Sequence, residues 1–134
     1  MALKQLSVFL ENREGRLEDL FNVFGDNNID IKSFSLAEST EYGVLRLIVS
    51  DPEKAKSALR NVDFSASLTD VIAVELPTGF RGLQDVTDAL PADLNIEYMY
   101  VLSTEEKHQA VVLKIKEIET VEKVLIEKGF TLVD

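Results

Sequence analysis

Cysteine is absent from the 134 residues, and histidine occurs once, at His108. A disulfide framework, a thiol nucleophile and a thiolate metal site are all excluded, and a transition-metal centre lacks its usual ligands. No cofactor is expected. Long apolar runs are missing too: stretches such as Val71-Ile72-Ala73-Val74 fall far below the roughly 20 residues that span a bilayer. The first residues, Met1-Ala2-Leu3-Lys4-Gln5, lack the charged-then-apolar layout of a signal peptide, so a cytoplasmic location is expected. Basic excess is also lacking. Residues 1–70 hold 8 basic and 12 acidic side chains, residues 71–134 hold 6 and 12, and the net charge is −10. Nucleic-acid binding draws most of its affinity from neutralising phosphates, so an evenly acidic chain argues against it, and likewise against an anionic membrane.

What is present is a repeat. An apolar strand turns through a glycine-containing corner into an amphipathic helix, and this happens twice. The first corner is Glu11-Asn12-Arg13-Glu14-Gly15-Arg16-Leu17, the second Pro77-Thr78-Gly79-Phe80-Arg81-Gly82-Leu83. Each is followed by a matching strand start, Asn28-Ile29-Asp30-Ile31 and Asn95-Ile96-Glu97-Tyr98. At 46% apolar and 28% charged residues, the composition is that of an ordinary globular protein. Each half alone has room for only a thin core.

Hydrophobic period places the elements. Leu6, Val8 and Leu10 alternate as in a half-buried strand, and Leu17, Leu20, Phe21 and Phe24 recur at helical spacing and are expected in the core. Gly25 is expected to end that helix in a left-handed turn. Ile29, Ile31, Phe34 and Leu36 alternate with a slip near Ser33 that reads as a bulge. A turn over 38–43 leads to the returning strand 44–49. Asp51-Pro52 opens a helix with Asp as cap and Pro in the first turn. Ala55, Ala58 and Leu59 form its apolar face, and a strand is expected within Phe64 to Thr69, with Asp70 as the joint between copies.

The second copy follows in the same order. Val71 to Leu76 is a strand, and Leu83, Val86 and Leu90 mark a helix that Pro91 cuts short. Strands over Asn95 to Leu102 and Gln109 to Lys116 flank the turn holding His108. Ile118, Val121, Val124 and Leu125 line a last helix closed by Lys128-Gly129, and Phe130 to Val133 is the final strand. Two βαββαβ units result, 1–70 and 71–134, an α+β ferredoxin-like architecture with antiparallel sheets combined and helices on one face. No Pro-, Gly- or Ser-rich linker separates them.

That architecture hosts many functions. An RNA-binding sheet needs stacking aromatics on its central strands, and Val44 to Val49 carries none, while Tyr98 and Tyr100 have Glu97 beside them. An acylphosphatase-like enzyme needs an arginine in a loop of backbone N–H groups. Arg13 and Arg16 flank Gly15, but Glu14 would repel the phosphate, and the Gly- and Gln-containing phosphate loop characteristic of that family is missing. No Ser-His-Asp set, phosphate-cradling loop or acid/base carboxylate pair is present.

The first copy resembles the ACT domain, a small-molecule-sensing module of amino-acid metabolism, through Asn12-Arg13-Glu14-Gly15-Arg16-Leu17 followed by Asn28-Ile29-Asp30-Ile31. Glu14 replaces the usual proline. In the second copy Arg81 takes the place of the family's glycine and Gly82 follows one residue late. The resemblance covers the chain as a tandem pair, and it implies a non-enzymatic regulator that binds an amino acid or related small carboxylate and modulates a separate metabolic enzyme, commonly as a homodimer.

A carboxylate ligand would be held by backbone N–H groups of Gly15, Arg16 and Leu17 at a helix N-terminus, where the dipole favours an anion. Asn12 and Asp30 stand where the family places polar contacts, and Asn12 is equally suited to capping the helix. The ligand would lie between one copy's corner and a neighbouring copy's strand start, which makes Asn28, Ile29, Gly82, Asn95 and Glu97 candidate contacts. Arg81 is expected to fill the second pocket, leaving one working site per chain. The competing reading is a structural assembly module that has lost its pocket.

Overall fold

The computed structural model describes residues 3–11, 14–38, 42–76, 78–104 and 108–133, with Glu38 described by its backbone alone. The chain forms two compact units, one of Lys4–Thr69 and the other built on Asp70–Asp134.

In the first unit the order is β1 (Leu3–Glu11), α1 (Arg16–Asp26), β2 (Ile31–Glu38), β3 (Tyr42–Val49), α2 (Pro52–Arg60) and the first part of β4 (Ser65–Leu76). The strands lie in the order β2-β3-β1-β4. β1 and β2 both run antiparallel to β3: Leu6 and Phe34 pair with Leu47, and Val8 and Leu36 pair with Leu45. Directly paired residues point to the same side of a sheet. Leu6, Val8, Leu45 and Leu47 thereby meet Leu20 and Phe24 of α1 and Ala55 and Leu59 of α2 in one core. The expected slip in β2 is a register shift between Ile31 and Ser33. Asp51 caps α2 by accepting from the Lys54 N–H at 3.2 Å.

The second unit continues with a 3₁₀ turn over Gly79–Arg81, α3 (Gly82–Ala89), β5 (Tyr98–Ser103), β6 (Gln109–Lys114) and α4 (Ile118–Glu127). Its strands lie in the order β4-β6-β5. Ile72, Val74 and Leu76 pack with Val111 and Leu113 of β6, Val86 of α3, and Val121 and Leu125 of α4. α3 ends at Leu90, whose backbone is extended as the following proline requires.

Several expectations need correction. Leu17 and Phe21 are not core residues, being 38% and 40% exposed, whereas Leu20 and Phe24 are buried. Helical spacing defines a stripe, and the packed partners decide how wide a stripe is covered. α1 passes through Gly25, and its left-handed residue is Asn28, at φ 56°. The Ile29 N–H donates to the Phe24 carbonyl at 2.9 Å and the Asn28 N–H to the Gly25 carbonyl at 3.3 Å, a Schellman closure.

α2 and α4 close in the same way. Asp63 (φ 66°) and Gly129 (φ 92°) are left-handed, and the N–H groups of Phe64 and Phe130 donate to Leu59 and Leu125, each at 3.0 Å. β4 does not break at Asp70, because the apolar positions 66, 68, 72, 74 and 76 keep one period-two phase straight through it. The expected final strand shrinks to one antiparallel bridge, Leu132 to Val74. It is flanked by bonds from the Glu75 N–H to Thr131 and from the Val133 N–H to Ala73, both 2.8 Å. β5 starts at Tyr98, three residues later than expected.

Candidate functional site

The first corner is built on Gly15. It is left-handed, at φ 85°, and is the residue from which α1 starts. Among the described residues no side chain caps the helix, and its first-turn N–H groups have no side-chain acceptor there. A Cβ placed on Gly15 would meet no heavy atom within 4 Å. The glycine is needed for its dihedral angle, and the space above it is open. Glu18 and Asp19 lie in the first turn, where carboxylates interact favourably with the dipole and compete with an anionic ligand for it.

Arg16 turns away from the corner. Its guanidinium lies 3.8 Å above the Phe64 ring, and Nη2 makes a long 3.5 Å contact to the Asp63 carbonyl. The cation therefore sits against the C-terminal turn of α2, where the helix dipole favours positive charge. Its Nε is buried and has no hydrogen-bond partner. Leu17 follows on the exposed side of α1. Asn12 lies outside the described residues.

The strand-start residues lie at the other end of α1. The helix has 11 residues, which places the two ends roughly 16 Å apart. Within the unit, then, Gly15, Arg16 and Leu17 form one group and Asn28, Ile29 and Asp30 another. Ile29 belongs to the core and is not presented to a ligand. Asn28 serves the helix end through its left-handed backbone. Asp30 is exposed, and its backbone is tied to Ser50: the Asp30 N–H donates to Ser50 Oγ at 3.0 Å and the Ser50 N–H to the Asp30 carbonyl at 2.9 Å.

The second corner differs in kind. Its left-handed glycine is Gly79, at φ 74°, and a 3₁₀ turn carries the chain into α3 without a break. The N–H groups at the end of that turn donate to the carbonyls of Gly79 and Phe80, so the open donors of this corner lie at the start of the 3₁₀ turn rather than at the start of α3. Arg81 is exposed. Gly82 is buried with an ordinary helical φ of −69°. A Cβ there would come 3.3 Å from Thr78 Oγ1 and 3.4 Å from Leu76 Cδ2, so this glycine serves close packing of helix on strand. Asn95 is exposed. The Glu97 carboxylate pairs with Lys114 Nζ at 3.3 Å, which engages part of its capacity to receive an ammonium group.

Three residues that shape these corners escaped the sequence reading: Gly79, Phe64 and Ser50. Gly79 carried a signal, since Thr78-Gly79 is a turn pair. Phe64 and Ser50 carried none, because their roles rest on contacts 48 and 20 residues away from Arg16 and Asp30. A surface depression at the start of α4, lined by Asp70, Lys116, Glu117, Glu119 and Glu122 among others, is too acidic to welcome a carboxylate. Among the described residues no group of three or more His, Asp or Glu could hold a metal ion, and no helix is long and apolar enough to cross a membrane.

Over residues 1–134 the sequence matches the ACT domain pair family, and the chain belongs to that family. The structure is similar to the crystal structure of protein BT0572 from Bacteroides thetaiotaomicron, with TM-score 0.89 and 38% identity, covering 99% of this chain and 92% of that one. It also shares its fold with the regulatory subunit of aspartate kinase from Thermus thermophilus in its ligand-free form: TM-score 0.63, 14% identity, 94% and 92% coverage. The regulatory subunit of aspartate kinase from Thermus flavus gives TM-score 0.57 at 15% identity, with 92% and 90% coverage. No curated protein matches the chain. The fold class expected from the sequence, a tandem of two ACT-like units, is the fold found.

Proposed function

We propose that this ACT domain pair is a regulatory module that binds an amino acid or a related small carboxylate at its first corner and modulates a separate metabolic enzyme. The observation that carries the reading is the start of α1: a left-handed glycine, open space above it and no side-chain cap. Such a start offers N–H donors and the positive end of a dipole to a carboxylate. Arg16 contributes its backbone N–H to that start, its side chain being turned onto Phe64. The ammonium group is left to Asn12, Asp30, Asn95 or Glu97, of which Asp30 is the exposed carboxylate without an ion pair among the described contacts.

The second corner departs from the first, with Arg81 in place of the family's glycine and a 3₁₀ turn leading into α3, and one ligand per chain is proposed. Membership of the ACT family favours regulation over catalysis. The likeness to aspartate kinase regulatory subunits carries the fold alone, and the regulated enzyme is not specified by it.

The test is a thermal-shift screen against the twenty amino acids and common keto acids, followed by calorimetric titration of any hit. A ligand at one hundred times its Kd stabilises the fold by about 2.7 kcal/mol. One site per chain is expected, and Gly15→Asn, which keeps a residue tolerant of the left-handed region but fills the open space, abolishes the shift while the protein still melts cooperatively. A flat screen, or two equal sites per chain, counts against the proposal. The second reading, an assembly module without a ligand, draws on the uncovered apolar side chains of the end strand β2, Phe34 and Leu36. It predicts a flat screen.

A further inference from the structure

The start of α1 carries an excess of charge of one sign. From Glu11 to Asp19 the chain holds four carboxylates, Glu11, Glu14, Glu18 and Asp19, against two guanidinium groups, Arg13 and Arg16. All four acids are exposed, and no ion pair joins any of them to another described residue. Arg16 lies 3.8 Å above the Phe64 ring and reaches back to the Asp63 carbonyl, and Arg13 lies outside the described residues. Like charges on neighbouring residues repel, so positive charge brought from outside is welcome here. An apolar strip lies beside the acids. Leu17 and Phe21, one turn apart on α1, are 38% and 40% exposed, and Glu18 is three residues from Phe21, on the same side of the helix.

We propose that the ligand of the first corner is an amino acid with a basic side chain on an aliphatic stem, an inference that rests on the reading of that corner as a ligand site. Each part of such a molecule has its complement. The α-carboxylate takes the open N–H groups at the start of α1. The α-ammonium goes to the acceptors named above. Glu14 and Glu18 bracket Gly15, Arg16 and Leu17 in the chain, and they receive the side-chain cation. The methylene stem lies on Leu17, as the stems of lysine and arginine do on apolar surface.

Other small carboxylates fit less well. A dicarboxylate or an acidic amino acid brings more of the charge already in excess, into a chain whose net charge is −10. A keto acid neutralises none of the corner's acids. An uncharged amino acid brings a single cation, fixed next to its carboxylate, and leaves Glu14 and Glu18 as they were. Discrimination of this kind comes as much from repelling the wrong ligand as from attracting the right one.

The experiment is calorimetric titration of the full chain with compounds that differ by one group. L-Lysine and L-arginine are expected to bind. L-Norleucine, which has an apolar stem like lysine's without the terminal ammonium, binds at least about tenfold more weakly, and so does ε-aminocaproate, which lacks the α-ammonium. L-Glutamate and α-ketoglutarate bind more weakly than L-norleucine. Raising the salt from about 50 mM to about 500 mM weakens L-lysine more than L-norleucine, because only the former relies on the added ion pair. Glu14→Gln combined with Glu18→Gln weakens L-lysine by about tenfold and brings it to within about threefold of L-norleucine. Circular dichroism and melting without ligand confirm that these exposed substitutions leave the fold intact.

L-Norleucine, L-glutamate or α-ketoglutarate binding as tightly as L-lysine would overturn the proposal and leave the corner a ligand site. A preference for L-lysine that survives the two substitutions together would overturn it as well. A chain that binds none of the twenty amino acids would overturn both this proposal and the reading on which it rests, so the two failures are told apart.

Discussion

Five left-handed residues punctuate the helices among the described residues: Gly15 and Gly79 at the two corners, and Asn28, Asp63 and Gly129 at the ends of α1, α2 and α4. The three end positions do the same job with different side chains, because Asn and Asp tolerate the left-handed region that most residues avoid. At Gly129 a Cβ would meet no atom within 4 Å, so a substitution there isolates the dihedral cost from any clash. Gly129→Ala is expected to lower the unfolding free energy by about 1 kcal/mol, read as a drop in the urea midpoint without a change in slope. The corner signal was legible, since Gly15 stood at a strand-to-helix turn. The choice between Gly25 and Asn28 was not. It depends on which residue lets the Ile29 N–H reach Phe24 with both side chains buried, and that is settled by packing.

At the scale of elements, helix starts divide into capped and open. α2 begins on the Asp51 carboxylate, and Asp51→Ala is expected to cost about 1 kcal/mol in chemical denaturation. Among the described residues α1 has no such side chain, and its start is where the proposed ligand's carboxylate would substitute for a cap. Along α1, Leu20 is fully buried and Leu17 is 38% exposed, although both fit the same helical stripe. Leu20→Ala is expected to destabilise by about 2–5 kcal/mol and Leu17→Ala by less than about 1 kcal/mol. Equal losses would show that α1 is covered by something absent from the single chain. Strand alternation was readable in β1, where Leu6, Val8 and Leu10 are buried; β4 was read as two strands, and its run Val71–Val74 is buried on both sides. In β2 alternation identified the side correctly but not the exposure of Phe34 and Leu36, because an end strand has a neighbour on one side only.

For the molecule as a whole, family and fold are shown and the regulatory reading rests on them. A regulator of this kind acts through a coupling free energy between ligand site and partner. Ligand stoichiometry, read by titration of the full chain, reports on the first corner, and one ligand per chain is the expected outcome.

The sequence by itself determined the order of the elements, the two glycine corners, the Asp51 cap and most of both cores, because these follow from local periodicity and from the stereochemistry of single residues. Tertiary structure alone decided the rest. It uncovered Leu17, Phe21 and Phe34, led the second corner into α3 through a 3₁₀ turn, turned Arg16 onto Phe64, and set the two groups of candidate residues at opposite ends of α1. Burial and donor availability are properties of contacts between residues distant in the chain, and no local pattern encodes them.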